Sequence, residues 1–246
     1  MPRVGCCIQS GVSPTLFQVM THLTGSSWPY SDSAAPQAVA GEKDACGVGF
    51  LAQMQGHPSH WVLQQALRGL GCMEHRGGCG GDSDSGDGAG ILCEIPWSYL
   101  RAIWPEAADA KGLGMMFLPA DAERRQQARR FFEEESVALG LQFAGWREVP
   151  VDPAVLGPMA RETAPVIEQW LVKGAAEGDA FEALLLRLRR RVGARAREAW
   201  GFEQSRDFYV ASLSSRTVVY KGMVRSEVLA RYYADLRDSR FEVSFA

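Results

Sequence analysis

The sequence lacks an excess of positive charge and a long hydrophobic run, and each absence excludes a class of protein. Its 26 lysines and arginines stand against 29 acidic residues, which gives a net charge of −3. This balance leaves no basic footprint for nucleic acid. Apolar runs such as residues 114–118 are far shorter than the roughly 18 residues that a membrane span needs. We therefore expect neither a nucleic-acid partner nor a membrane segment.

Cysteine is also sparse, with six residues in a chain of 246. A small secreted protein held by disulfides carries cysteine at a much higher density, and the adjacent Cys6 and Cys7 suit no regular disulfide framework. The sequence therefore predicts reduced thiols and a cytoplasmic location, with the plastid stroma as the alternative.

Residues 1–45 differ in composition from the rest of the chain. Arg3 is the only arginine or lysine before Lys43, and Asp32 is the only acidic residue before Glu42. The segment shows neither helical nor strand periodicity. We expect a poorly ordered leader or propeptide at 1–45 and one folded domain at 46–246.

Apolar periodicity predicts alternating strands and helices after this leader. Residues 46–54 favour a strand, and the apolar positions from Val62 to Met73 recur at helical spacing. Asp121 is placed to cap a further helix, and 208–213 with 217–220 suggest a β-hairpin. Further strands are predicted at 89–95, 113–118 and 141–149, and a second long helix at 181–192.

Two charged or glycine-rich segments carry weaker signals. The helix over 187–197 contains six arginines and no acid, which is typical of a solvated helix face. The loop from Gly77 to Gly90 has aspartates but neither the lysine of a phosphate-binding loop nor the ligand spacing of a calcium loop. A packed turn is the prediction for this loop.

Four residues have side chains that bind zinc, namely Cys72, His75, Cys79 and Cys93. Their spacing matches no standard zinc finger, and Cys72 lies near the end of an apolar helix, where cysteine commonly packs as a small hydrophobe. The alternative to an enzyme is a non-catalytic module that is stabilised by zinc, or binds a partner, through these four residues.

Cys46 stands at the junction between the leader and the first strand. If cleavage follows Ala45, its thiol becomes a nucleophile and its own α-amine becomes the base. An α-amine titrates near ~7.7 to 8.0, so it can accept the thiol proton and return it to a leaving amine. One residue then carries both catalytic roles.

Three ordered motifs resemble the start of the glutamate synthase large chain: 44–50, 73–77 and 85–91. Segments 212–222 and 232–236 extend the similarity, and 28–36 is similar to the cyanobacterial, ferredoxin-dependent branch. The resemblance implies a type-2 glutamine amidotransferase domain. Its fold would be α+β, an N-terminal-nucleophile hydrolase αββα sandwich with two mostly antiparallel sheets between helix layers.

The same resemblance implies a mechanism. Cys46, exposed by propeptide removal, would attack the side-chain amide of glutamine and form a glutamyl thioester. The released ammonia would serve reductive glutamate synthesis from 2-oxoglutarate in other domains. Arg76 would shape the nucleophile pocket and bind substrate, with a structural ion pair as the alternative, whereas His75 would be structural.

The chain departs from the family at its end. The Asn-Gly pair of the oxyanion hole and an Arg-x-Ser-Thr-Asn-Thr substrate segment occur nowhere in it. We therefore expect a C-terminally truncated, poorly active fragment without a cofactor of its own. For the whole chain the resemblance implies FMN and an iron–sulfur cluster. It also implies the remaining synthase domains and ferredoxin, or pyridine nucleotide through a small subunit, as electron donor.

Overall fold

The computed structural model describes residues 47–73, 84–86 and 88–246. Its helices are α1 (His60–Cys72), α2 (Trp97–Ile103), α3 (Ala122–Ala138), α4 (Pro158–Glu162), α5 (Gly178–Ser205) and α6 (Leu229–Tyr232). Its strands are β1 (Ala89–Glu94), β2 (Gly112–Leu118), β3 (Gln142–Glu148), β4 (Val166–Lys173), β5 (Tyr209–Ser214) and β6 (Thr217–Gly222). Short 3₁₀ turns lie at Pro105–Asp109, Pro153–Val155, Ser226–Val228 and Ala234–Arg237.

The strands form two antiparallel sheets. Four strands pair in the order β3-β4-β2-β5, and β1 pairs with β6 in a second, two-stranded sheet. The registers place Met115 opposite Gln169 in the larger sheet and Ile91 opposite Tyr220 in the smaller one. The α+β class and the antiparallel pairing are therefore confirmed.

Strand β2 separates two hydrophobic cores because successive side chains on a strand point to opposite faces. Leu113 and Met115 pack in the core that the two sheets share with α1 and α2. Met116 and Leu118 pack in the other core, against α3 and α5. Helices α3 and α5 therefore cover one face of the four-stranded sheet, and its other face packs toward the two-stranded sheet. Among the residues that the structure describes, no helix combines the length and apolar character that crossing a lipid bilayer requires.

Strand β4 is buried on both faces, yet it carries two polar residues at its centre. Glu168 and Gln169 are 1% and 0% exposed. Glu168 faces the helices and accepts hydrogen bonds from both Arg129 Nε, at 2.9 Å, and Arg129 Nη2. Gln169 faces the core between the sheets. Each buried polar group therefore has a partner on a different layer, as burial requires.

Several predicted elements are confirmed in place. Helix α1 covers the predicted helical segment, and Asp121 caps α3 by accepting a hydrogen bond of 2.8 Å from the Arg124 amide. On α5 the apolar stripe is buried, as its spacing predicted. The stripe consists of Phe181, Leu185, Leu188 and Val192.

The predicted β-hairpin is wrong. Strand β5 pairs with β2 in one sheet, and β6 pairs with β1 in the other, so the chain passes between sheets at Ser214 and Ser215. Glu182 of α5 holds this crossing, because its Oε1 accepts hydrogen bonds from Ser214 Oγ at 3.0 Å, Ser215 N at 2.7 Å and Ser215 Oγ at 2.6 Å. A fixed carboxylate thus replaces the cross-strand pairing of a hairpin.

Removing the partner of Glu168 should destabilise the fold. We expect Arg129→Met to lower the free energy of unfolding by about 3–5 kcal/mol, because a buried carboxylate is left without a counter-charge. Arg130→Met is the control, because Arg130 lies exposed on the same helix. Urea unfolding of both variants measures the difference, and equal losses would contradict a structural role for the pair.

The crossing held by Glu182 should make stability depend on pH. Burial alone raises the pKa of Glu182, but the hydrogen bonds from Ser215 and Ser214 and the charge of Arg216 outweigh burial and lower it. The folded pKa lies below the unfolded value. The stabilisation is therefore present above the unfolded pKa of about 4.3 and is lost as pH falls through the folded pKa.

We expect Glu182→Gln to cost about 0.5–2 kcal/mol at pH 7, and the difference from the parent chain to shrink below pH 4. Thermal unfolding followed from pH 7 to pH 3 measures it. The control is Glu177→Gln, at a carboxylate that is 82% exposed and pairs only with Lys111 among the described residues. The same pH dependence in both variants would contradict the assignment to Glu182.

Candidate active site

The segment that begins at Gly47 lies beside the final residues of the chain. Leu51 and Ala246 exchange two backbone hydrogen bonds of 2.8 and 2.9 Å, and the Gln53 amide donates to the Ser244 carbonyl at 2.8 Å. Residues 46–54 were predicted to form a strand, and the described part of this segment pairs in antiparallel fashion at Ala52 and Phe245. The first extended segment of the domain is therefore held by the last one.

The final segment is held in turn by β1. The Phe245 carbonyl accepts a hydrogen bond of 3.4 Å from the Glu94 amide. The Glu94 side chain reinforces this contact, since its Oε2 accepts from Ser244 N at 2.8 Å and from Ser244 Oγ at 2.6 Å. Residues 244–246 thus lie between β1 and residues 51–53, and they extend the smaller sheet on its β1 side.

Helix α1 is fixed to the same final segment. The Ser59 amide, just before the helix, donates to the Val243 carbonyl at 3.0 Å, and His60 Nδ1 lies 3.0 Å from the Phe241 carbonyl. The helix ends at Cys72, and Met73 is the next residue in the chain. Residues 51–53 and helix α1 therefore both depend on residues 241–246 for their position.

The start of the first extended segment, at Gly47, contacts Met73, the residue that follows helix α1. A Cβ atom built on Gly47 would lie only 2.9 Å from Met73 Sδ, so any larger residue at this position would have to displace the Met73 side chain. Gly47 is exposed, as are Val48 and Phe50 after it, whereas Leu51 is buried. Residues 47–50 therefore lie at the surface, whereas Leu51 packs in the core.

The two predicted site residues, Cys46 and Arg76, lie outside the described residues. Their nearest described chain neighbours are Gly47 and Met73, which pack against each other. The structure therefore shows a contact between the described residues that lie nearest in the chain to these two predicted site residues.

A buried polar network lies behind this unit, centred on Asp235. The Asp235 carboxylate accepts hydrogen bonds from Tyr99 Oη at 2.9 Å, Tyr220 Oη at 3.1 Å and, bidentately, Arg147 at 2.6 and 2.9 Å. Gln169 closes the network by accepting from Arg147 at 2.6 Å and donating to Tyr220 at 3.0 Å. Members come from both sheets, so the network ties the sheets together.

The charges of this network are mutually stabilised. Burial alone would lower the pKa of Arg147, but its hydrogen bonds to Asp235 and the charge of that carboxylate outweigh burial and raise it. Burial and the Asp235 charge raise the pKa of both Tyr99 and Tyr220. Both phenols therefore remain hydrogen-bond donors at neutral pH, and the buried carboxylate stays fully paired.

The network was missed by the sequence analysis, although two of its parts left a signal. Segment 232–236 contains Asp235 within a recognised motif, and β4 carries Gln169 inside an apolar run. A polar residue within such a run requires a buried partner. Nothing local identifies that partner, because Arg147 and Tyr220 are distant in the chain.

The zinc alternative finds no support in the described part of the chain, which contains no group of three side chains able to hold a metal ion. Cys93 is fully buried, and burial together with the Glu94 charge raises the pKa of its thiol to about 12. A thiol held in that form is a poor metal ligand. Cys72 is exposed, and His75 and Cys79 lie outside the described residues.

Comparison with known families distinguishes the amidotransferase interpretation from the zinc-module alternative. The sequence profile described as "Glutamine amidotransferases class-II" matches residues 46–246. The chain belongs to the class-II glutamine amidotransferases. The two antiparallel sheets and their helix layers agree with the N-terminal-nucleophile hydrolase architecture expected of that family.

The relatives of this amidotransferase domain are parts of much longer proteins. It is 46% identical to "Ferredoxin-dependent glutamate synthase 1, chloroplastic/mitochondrial" of Arabidopsis thaliana, over 85% of this chain and 13% of that protein. It is 46% identical to "Ferredoxin-dependent glutamate synthase 2" of Synechocystis sp., over 83% of this chain and 13% of that protein. Against "Glutamate synthase [NADPH] large chain" of Azospirillum brasilense the identity is 40%, over 83% and 14%. The alignments thus cover about one eighth of the length of these relatives.

Breaking the Asp235 network should unfold the amidotransferase domain at lower denaturant. We expect Asp235→Asn to lower the free energy of unfolding by about 3–5 kcal/mol, because Arg147 keeps its buried charge and loses its counter-charge. Asp238→Asn, three residues further on, should cost less than about 1 kcal/mol, because Asp238 pairs with Arg240 at the surface. Guanidinium unfolding of both variants tests this, and similar small losses would contradict the central role of Asp235.

Proposed function

We propose that this chain is the glutaminase part of a glutamate synthase and that Cys46 is its nucleophile. The observation that carries the proposal is the start of the family match at Cys46, immediately before the strand that residues 244–246 hold in place. The exposed Gly47 and its contact with Met73 support it further, since a nucleophile needs a fixed yet accessible backbone.

We infer that residues 1–45 are removed and that Cys46 then carries a free α-amine. Because an α-amine titrates near ~7.7 to 8.0, it accepts the thiol proton at cellular pH without help from a histidine. The thiolate attacks the side-chain carbonyl carbon of glutamine. As the tetrahedral intermediate collapses, the C–N bond breaks and the ammonium group returns its proton to the leaving nitrogen.

The products of this step are ammonia and a γ-glutamyl thioester on Cys46. Water then attacks the thioester carbonyl, the C–S bond breaks and the thiol recovers a proton, so that glutamate leaves and the enzyme is regenerated. We propose that Arg76 shapes the pocket around the thiol and binds the substrate.

Two functional segments of the family do not occur in these 246 residues, namely the Asn-Gly pair of the oxyanion hole and the Arg-x-Ser-Thr-Asn-Thr substrate segment. Loss of an oxyanion-hole donor lowers turnover by about 10² to 10³. We therefore propose that rapid glutamine hydrolysis depends on residues supplied from outside them.

The ammonia would be consumed in the parts of the glutamate synthase beyond this domain, where it would combine with 2-oxoglutarate. FMN and an iron–sulfur cluster would belong to those parts as well. The relatives named for ferredoxin favour ferredoxin as the electron donor, with pyridine nucleotide as the alternative. The compartment would be the cytoplasm or the plastid stroma.

The nucleophile can be tested with a chloroketone analogue of glutamine, which alkylates an activated thiol. In protein that begins at Cys46 we expect this thiol to react at least about tenfold faster than Cys72, because its own α-amine lowers the barrier to thiolate formation. Peptide mass spectrometry at short reaction times measures both sites.

Three comparisons make the result decisive. Cys46→Ser should abolish the fast reaction, Cys72→Ser should leave it unchanged, and the chain that retains residues 1–45 should lack it. Equal labelling with and without residues 1–45, or faster labelling of Cys72, would contradict the proposed role of Cys46.

A further inference from the structure

A groove of about 400 Å³ runs between helix α5 and the start of β5. One wall is a single face of the helix, formed at three- and four-residue spacing by Leu186, Arg189, Arg190, Gly193 and Arg197. The other wall is formed by residues 208–210 together with Ser205. A Cβ atom built on Gly193 would meet no atom within 4 Å, so the space next to Gly193 is open. We call this feature the arginine groove.

The arginines of α5 divide into two groups. Arg191 and Arg195 pair with Glu135 and Glu134 on α3, so their charges are neutralised. In the part of the chain that the structure covers, no ion pair joins the groove residues Arg190 and Arg197 to an acidic side chain. The groove therefore presents unneutralised guanidinium groups to solvent.

The strand wall supplies a backbone acceptor and some apolar surface. Arg189 Nη2 donates to the Val210 carbonyl at 2.9 Å, which holds this guanidinium against β5. Tyr209 receives a hydrogen bond of 2.8 Å from Lys221 Nζ, and this hydrogen bond, together with the charges of Lys221 and Arg189, lowers the pKa of Tyr209 although burial opposes the shift. Tyr209 and Leu186 are 41% and 50% exposed, so apolar surface lies beside the charges.

We propose that the arginine groove is a docking site for an acidic segment of a separate partner protein. Guanidinium groups pair with carboxylates in a planar, two-point geometry, and the exposed Tyr209 and Leu186 suit apolar side chains of the same segment. A protein ligand offers both kinds of group.

A continuous nucleic-acid backbone fits this surface less well. The whole chain carries a net charge of −3, which opposes the approach of a long polyanion that continues beyond the groove.

The spacing of the arginines defines the ligand. Arg190 and Arg197 are separated by seven residues, which is about 10.5 Å along a helix. A peptide in the polyproline II conformation advances by about 3.1 Å per residue and has three residues per turn, so two carboxylates three residues apart match this distance and lie on the same face. The expected ligand is an extended segment of four residues with acidic side chains at its two ends.

The probe for this site is a fluorescein-labelled hexapeptide, Gly-Glu-Leu-Phe-Glu-Gly, whose glutamates stand three residues apart. We expect it to bind the 246-residue chain in fluorescence anisotropy and to lose affinity in 0.5 M salt, because exposed charge pairs are screened. The same peptide with glutamine at both acidic positions should bind at least about tenfold more weakly.

Matched variants locate the binding. Arg190→Gln combined with Arg197→Gln should weaken binding of the probe by about tenfold, because two exposed charge pairs with the peptide are lost. Arg187→Gln is the control, since Arg187 is exposed on the same helix but does not line the groove. Circular dichroism should show unchanged helix content in both variants.

Several outcomes would overturn the proposal. They are absence of peptide binding, equal weakening by Arg187→Gln, and tighter binding of a twelve-base single-stranded DNA than of the peptide. Self-association of the chain that the groove double variant abolishes would assign the surface to a second copy and would also overturn it. None of these measurements depends on Cys46, so their outcome is independent of the proposed glutaminase function.

Discussion

The buried pairing of Asp235 with Arg147 is the interaction on which the rest of the domain depends. Two sheets that face each other across a core have no backbone hydrogen bonds between them, and apolar contacts alone allow them to slide. The Asp235 carboxylate joins the turn after α6 to β3 through Arg147, to β6 through Tyr220 and to α2 through Tyr99. Because every charged and polar member is hydrogen-bonded, the network specifies one relative position of the sheets.

This constraint extends to the candidate active site through the final residues of the chain. The Phe241 ring packs on Tyr99 and Tyr220, both members of the network, with ring centres 5.4 and 5.8 Å apart. Residues 244–246 follow within a few positions and hold residues 51–53 by backbone hydrogen bonds. The strand that follows Cys46 is therefore positioned by a segment almost two hundred residues away, and that segment is itself positioned by the Asp235 network. An N-terminal nucleophile needs this kind of support, since a chain end is otherwise poorly ordered.

The surface charge of α5 shows how much tertiary context changes the meaning of a sequence pattern. Six arginines without an acid predicted a solvated helix face, and the helix itself is confirmed. The fold places the acidic face of α3 against Arg191 and Arg195 and places edge strand β5 beside Arg190 and Arg197. The arginines of α5 therefore fall into two groups. One group is neutralised by ion pairs with α3, and the other lines an open groove.

The sequence by itself determined the elements whose signal is local. Apolar spacing located α1, α5 and five of the six strands, the Asp121 cap located α3, and the motifs around Cys46, Arg76 and Ser85 identified the family. Only the tertiary structure decided which strands pair. It separated β5 from β6, inserted β4 at the centre of a sheet and brought Asp235 to Arg147. Local periodicity records which face of an element is apolar, whereas pairing and buried polar partners depend on contacts between residues far apart in the chain.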